Sequence, residues 1–304
     1  MEKKEILDQI EKIEKKYGAW AYDIPLPFDV WTGGNKKIPH TRLKRIVQVV
    51  SDLVGKPLSE CRILDLGSLD GIFSIEFAQH GAKTLGIEVR EDNIKKALFS
   101  KEVLNLNNLD FCQDDARNIS VELYGEFDAI ICSGLLYHLT APDAIELIGK
   151  MFNMSTKVVI IDTHIAMKPE TCYKYNEDEY FGQIFSEHGT NDSQLVKSKQ
   201  LWKSWDNNES FWFTRPSLIN ILNKTGFTST YECLSPLNFN FIKKETTIFS
   251  RCTFVAIKSK ECKITNSPAV NNFKQKWPEN SLQQIKIKKS VYKRILFKLK
   301  KIIK

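Results

Sequence analysis

Acids, glycines and histidines gather at the ends of short apolar runs in this chain. Ile63-Leu64-Asp65-Leu66-Gly67-Ser68-Leu69-Asp70-Gly71 ends one run in an acid and a glycine-bearing loop. Leu85-Gly86-Ile87-Glu88 ends the next in a second acid, 23 residues after Asp65. A loop of this kind can cradle a nucleotide-like ligand, and an acid at that distance suits ribose hydroxyls. The loop lacks the full Gly-x-Gly-x-x-Gly, so a nicotinamide dinucleotide is not the default. Further run ends carry Asp114-Asp115, Ser133 to His138 and Asp162 to His164. Histidine suits proton transfer near neutral pH. His138 and His164 are therefore candidate general bases, with His188 in a later segment as a third. Each has the alternative of packing beside a ligand without touching its chemistry. Asp162, His164 and Asp192 lack a recognisable metal-ligand spacing, so no metal is expected.

These groups need elements to hold them. Runs at 62–66, 83–88, 109–113, 127–132 and 157–162 read as short buried strands. Helical patterns lie between them, at 72–80, 91–103 and 141–153. Such alternation predicts an α/β fold with a mostly parallel sheet covered by helices on both faces. Strands near 227–233 and 248–257 complete seven, the last antiparallel. In such a sheet, ligands bind outside the carboxyl ends of the strands, where the polar run ends converge.

Residues 1–55 read as helices and an aromatic arm, and 56–258 as the main domain. Within that domain, 163–213 interrupts the alternation for about 50 residues, and a connection so long is usually functional. Trp20 and Trp31 of the arm, with Tyr180 and Trp212 of the insertion, are candidate walls of an acceptor pocket. A hydrophobic cap on the sheet is the alternative. Arg215 either holds an anionic acceptor or pairs with a neighbouring acid.

At this point residues 62–164 resemble a class I S-adenosylmethionine (SAM)-dependent methyltransferase with a Rossmann-like fold. Leu64 to Gly71 matches the first motif of that family, with Leu69 where its middle glycine belongs. Glu88 matches the ribose-binding acid, and Asp115-Ala116 the acidic pair near the adenine amino group. Phe127 to Leu139 matches the fourth strand and its Tyr-His turn. The resemblance implies SAM as cofactor, held by Asp65, Gly67, Ser68, Asp70, Gly71, Glu88, Asp115, Ala116 and Ser133. More loosely, the arm and Phe213 to Leu218 are similar to the branch with the tRNA wobble-uridine carboxymethyltransferase, and to bacterial glycan and natural-product methyltransferases.

The chain has 304 residues, 42% hydrophobic and 27% charged, with a net charge of +7. That is an ordinary soluble composition. Seven cysteines without a Cys-x-x-Cys pair suit a reducing cytosol. The charged N-terminus does not read as a signal peptide. Residues 274–304 carry +10, leaving 1–273 at −3. The body thus has no basic excess to attract nucleic acid. Residues 259–284 read as a linker. Residues 285–304 form a helical pattern with one apolar face and a dense Lys/Arg face, suited to an anionic membrane surface. The expectation is cytoplasmic O-methylation of a sugar or other small hydroxylated acceptor, at the inner face of the membrane. A tRNA wobble-uridine methyl or carboxymethyl transferase is the alternative. A non-catalytic SAM-binding or membrane-adaptor protein is a third reading, and a dehydrogenase the weakest.

Overall fold

The computed structural model describes residues 1–33, 41–233, 251–267, 269, 271 and 276–279. Helix α1 (Lys3–Tyr17) buries Ile6 and Ile10 one turn apart and is closed by Gly18 at φ 81°. The arm is more regular than its composition suggests. β1 (Pro25–Leu26) pairs antiparallel with β2 (Val30–Trp31) around the short turn Pro27–Asp29. Helix α2 (Thr41–Leu53) then buries Leu43, Ile46, Val47 and Val50.

The alternating core follows: β3 (Arg62–Leu66), α3 (Ile72–Gln79), β4 (Lys83–Glu88), α4 (Glu91–Val103), β5 (Leu109–Gln113), α5 (Val121–Tyr124), β6 (Phe127–Ser133), α6 (Ala141–Met154) and β7 (Ser155–His164). The insertion is a small three-stranded antiparallel sheet of β8 (Thr171–Tyr175), β9 (Asp178–Ser186) and β10 (Glu209–Phe213), with α7 (Gln194–Ser198) inside it. Helix α8 (Arg215–Thr225), β11 (Ser229–Glu232) and β12 (Arg251–Ile257) end the domain.

The seven-stranded sheet runs β11-β12-β7-β6-β3-β4-β5. Its first five core strands pair parallel, and β12 is antiparallel to both neighbours. Alternate side chains feed two cores. Leu64, Ile130, Val159 and Phe254 pack with Leu147, Met151 and Leu222 on one face. Ile63, Ile131, Ile160 and Val255 pack with Ile46, Val50, Phe73 and Phe77 on the other. Burial on both faces is why the strands read as continuous apolar runs. Local signals fix the helix ends. Thr140 caps α6 through the Asp143 N–H, and Thr214 caps α8 through the Ser217 N–H. Gly226, at φ 118°, stops α8.

Two chain segments lie across this frame. The arm rests on the glycine loop, where the Tyr22 N–H donates to Asp70 Oδ2 at 2.9 Å. Lys96 Nζ, on α4, donates to the Ala19 carbonyl at 2.9 Å. Part of the expected linker is docked rather than free. Glu279 accepts from the Thr214 and Ser217 hydroxyls at 2.6 and 2.7 Å, at the start of α8. The amphipathic segment 285–304 lies outside the described residues. Among those residues no helix is long and apolar enough to cross a membrane.

Candidate active site

Parallel pairing brings the carboxyl ends of β3, β4, β5, β6 and β7 to one edge of the sheet. A cavity opens there, lined by Gly67, Leu69, Glu88, Asp114, Asp115, Ala116, Ser133, Tyr137 and His138. Tyr22, Arg42, Arg90, Arg117 and Arg251 join the wall, and residues 201–206 close it from above.

Glu88 is buried and organises the floor. One carboxylate oxygen accepts the Leu69 N–H at 3.1 Å and the other the Arg90 N–H at 2.9 Å. Leu69 stands at φ 51°, the left-handed region a glycine would take without cost. The loop thus keeps the backbone shape its motif requires despite the leucine, and the Leu69 side chain joins the wall. Ser133 at the end of β6 has a buried hydroxyl without a hydrogen-bond partner among the described residues.

The acidic pair after β5 is already engaged. Asp114 accepts from the Tyr124 hydroxyl at 2.5 Å and Asn118 Nδ2 at 2.8 Å. Burial pushes its carboxyl up, but these hydrogen bonds outweigh that and hold it below the usual carboxylate value. Asp115 receives Arg117 through Nε and Nη2, and Arg117 Nη2 also donates to Asp206 at 2.6 Å. That guanidinium ties the strand edge to the cap. Arg90 ties it a second time, donating to the carbonyls of Ser198, Gln200 and Lys203 at 3.1, 3.3 and 2.9 Å.

Opposite the acids stands a histidine–glutamate pair. His138 Nδ1 lies 2.8 Å from Glu187 Oε1. Glu187 is fully enclosed and also accepts the Ser204 N–H at 3.0 Å and the Ser210 hydroxyl at 2.8 Å. Burial raises the Glu187 carboxyl, but these donors, His138 foremost, bring it below its ordinary value. An ionised Glu187 keeps the His138 proton on Nδ1 and leaves Nε2 as an acceptor.

Comparison with known proteins gives this geometry a family. Residues 57–210, half of the chain, match the family model described as a methyltransferase domain. The chain belongs to the methyltransferase-domain family. It is a class I SAM-dependent methyltransferase in fold and cofactor class. The ubiquinone biosynthesis O-methyltransferase of Psychrobacter arcticus is 28% identical over 148 residues, 45% of this chain and 55% of that protein. Its counterpart from Acinetobacter baumannii strain AYE is 27% identical over 104 residues, 34% of this chain and 42% of that protein. The chain therefore spans about half the length of these curated relatives. Among solved structures, the N-terminal domain of EvdMO1 with SAH bound superposes with a TM-score of 0.64 at 20% identity. The match covers 86% of this chain and 98% of that one. The same domain in the presence of SAH and D-fucose gives 0.62 at 21% identity, with the same coverage.

The cavity of this methyltransferase domain fits SAM in three respects. Glu88 has lone pairs left for two ribose hydroxyls. The unpartnered Ser133 hydroxyl calls for a polar ligand. Gly67 offers bare backbone on the wall. Asp115 and Ala116 also lie on the cavity, although the Asp115 carboxylate already binds Arg117.

The other expected cofactor residues are not on the cavity wall. Asp65 accepts the Ser74 N–H and hydroxyl at 3.1 and 2.6 Å, holding the first turn of α3. Burial, relieved only in part by those bonds, pushes its carboxyl up to about 7. Asp70 is turned inward under the arm, and burial pushes it up to about 6. Gly71 is the left-handed residue before α3. A Cβ there would sit 2.6 Å from Phe111 Cζ, so the glycine answers to packing rather than to a ligand. Ser68 is buried beside it.

The expected acceptor wall needs more revision. Trp20 packs against Phe99 at 6.2 Å, and Trp31 Nε1 reaches Asp29 within the arm. Tyr180 is buried in the core near Phe213. Arg215 pairs with Glu232 at 2.6 Å. These four lie away from the cavity because each satisfies a local packing or charge need. Trp212 lies behind the site. It is stacked between His164 and Phe185 at 4.8 and 4.5 Å, and its Nε1 donates to the Tyr137 carbonyl. His164 meets the Tyr137 ring edge-on at 4.7 Å, and burial, followed by the Arg251 charge, lowers it to about 4. His188 is buried, and its Nε2 donates to the Ser204 carbonyl at 2.7 Å, fixing the cap. Of the three histidines, His138 alone lines the cavity. Among the residues missed from sequence are Glu187, Arg42, Arg90 and Arg251. Glu187 adjoins a flagged histidine and Arg90 follows Glu88, but neither arginine pair nor dyad has a local pattern.

Proposed function

We propose that the protein transfers the methyl group of SAM to a hydroxyl of a small acceptor, a sugar or a sugar-like molecule. The observation that carries this reading is the His138–Glu187 pair at the mouth of β6. A hydroxyl is a poor nucleophile until its proton is removed, and methyl transfer to it gains from a positioned base. When bound, SAM supplies an electrophilic methyl on a sulfonium centre. Glu88 and Ser133 would hold the nucleoside end, with Asp115 and Ala116 beside it. His138 Nε2 takes the acceptor's proton while Glu187 holds the ring in place and stabilises its charge. Segment 201–206 keeps water from the reacting groups, and alignment of the two reactants supplies much of the acceleration.

A sugar is supported by the EvdMO1 domain structure determined in the presence of D-fucose, a protein of the same fold. The basic amphipathic pattern of 285–304 supports an acceptor met at the inner membrane face. Binding to anionic liposomes should vanish when 285–304 is deleted, with SAM affinity retained.

The test is a product search. The full chain is incubated with methyl-deuterated SAM and separate pools of sugar nucleotides, glycosyl phosphates and tRNA, then analysed by mass spectrometry. The reading expects label on an oxygen in a small sugar-containing product. Label in tRNA alone would replace it with the wobble-uridine reading.

A further inference from the structure

The strand order divides the cavity into two flanks. Glu88, Asp114 and Asp115 follow β4 and β5 on one side. Arg251 opens β12 on the other, paired across from His164 at the end of β7. Tyr137 and His138 follow β6 between them. A nucleoside on the Glu88 flank leaves the Arg251 flank to the acceptor and to the methionine end of the cofactor.

That flank carries surplus positive charge. Asp162 Oδ1 accepts both Arg251 Nε at 2.6 Å and Arg42 Nη1 at 3.3 Å. Its Oδ2 is taken by the Thr253 hydroxyl at 2.7 Å. Two guanidinium groups thus share one buried carboxylate, and both line the cavity. Arg42 Nε is buried without a hydrogen-bond partner among the described residues. No second described carboxylate pairs with either arginine. The other titratable groups facing them are Tyr22, Tyr137 and His164, none of them a carboxylate. Arg42 is also the second residue of the thirteen-residue helix α2, whose N-terminal dipole adds positive potential. Arg251 Nη1 donates to the Tyr137 hydroxyl at 3.2 Å, and the Tyr137 ring lies 4.2 Å from that of His138. The charge is therefore one residue from the base.

We propose that the acceptor bears an oxyanion, a carboxylate or a phosphate, near the hydroxyl it presents to His138, and that Arg251 and Arg42 bind it. This rests on the reading that the cavity serves SAM and a hydroxylated acceptor. Guanidinium forks recognise both oxyanions through paired charge-assisted hydrogen bonds. A partly desolvated positive surplus is unfavourable until an anion arrives. An acidic or phosphorylated sugar meets the requirement, whereas a neutral one would leave it to the carboxylate of the cofactor's methionine end.

The test titrates the full chain, loaded with SAH, with inorganic phosphate and separately with acetate at constant ionic strength, by calorimetry. Wild type should bind at least one of them, and the preferred one names the oxyanion. Arg251→Gln and Arg42→Gln should each weaken that binding about tenfold or more, with SAH affinity retained. Arg251→Lys keeps the charge, should retain part of the binding, and serves if the glutamine variant misfolds. Absence of anion binding in wild type, or variants that bind as wild type does, would overturn the proposal. So would a matching loss of SAH affinity, which would assign the arginines to the cofactor's own carboxylate. A wild-type chain that fails to bind SAH at all would instead sink the cofactor reading, before any anion is added.

Discussion

In the proposed cofactor site Glu88 is the ribose-binding acid, and its removal has a calculable effect. Its carboxylate holds the Leu69 and Arg90 N–H groups at 3.1 and 2.9 Å, and two ribose hydroxyls would complete its coordination. A hydrogen bond to a charged group contributes about 1.5–3 kcal/mol. Losing two in Glu88→Ala costs about 3 kcal/mol or more, a rise in SAH Kd of at least ~100-fold. Glu88→Gln keeps one carbonyl acceptor and should cost about half as much, roughly tenfold. The alanine variant also leaves two loop N–H groups without acceptors, one of them on the left-handed Leu69. Its apo form should lose about 2–4 kcal/mol. Titration calorimetry with SAH reads the first effect, and urea unfolding without ligand reads the second. A Glu88→Ala protein that remains folded and binds SAH like wild type would refute the ribose role.

Three other perturbations probe the surroundings. Arg90→Gln removes three bonds to the cap and the stack on Trp205. The cavity beneath is only about 140 Å³, below the ~300–1,000 Å³ of pockets that enclose drug-sized ligands. The cap should therefore move as ligand enters, and the variant should be cut faster by protease within 198–206; an unchanged cleavage rate would reject the clasp. Gly71→Ala must place a Cβ against Phe111 at φ 90° and should lose about 2–4 kcal/mol by urea unfolding, whereas a stability equal to wild type would show the loop is not so constrained. His164 is lowered to about 4 from 6.5, so the folded state resists its protonation. Its contribution is complete above pH 6.5 and is lost as pH falls towards 4. The stability difference between wild type and His164→Asn should shrink over that interval, and a pH-independent difference would count against the burial of the imidazole.

The sequence was most legible where one local rule sets position. Strand ends follow from apolar runs, and parallel pairing then forces their polar residues to one edge, so Glu88, Ser133 and His138 could be found without coordinates. Gly71 and Asp70 belong to the same motif but face inward, because the arm and Phe111 claim them. No motif records which side of a loop meets the ligand. Glu187 lies 49 residues from His138, and their meeting depends on how β9 folds back over the sheet. Arg42 and Arg251 come from distant parts of the chain and meet at Asp162, where α2 packs and β12 pairs beside β7. The aromatics of the arm and insertion misled because Trp20 and Tyr180 bury large apolar surfaces, which makes cores as readily as pockets. Trp202 and Trp205 of the insertion, with Tyr22 of the arm, are the aromatics of these segments that reach the cavity.

The His138–Glu187 pair is tested most directly by single-turnover methyl transfer at saturating SAM, once the labelled product has named the acceptor. His138→Ala should slow transfer by about 10²–10⁴-fold. Glu187→Gln should slow it by less, and the double variant should be no slower than His138→Ala, since both act through one imidazole. A His138→Ala enzyme that transfers methyl at the wild-type rate would contradict base catalysis at this site.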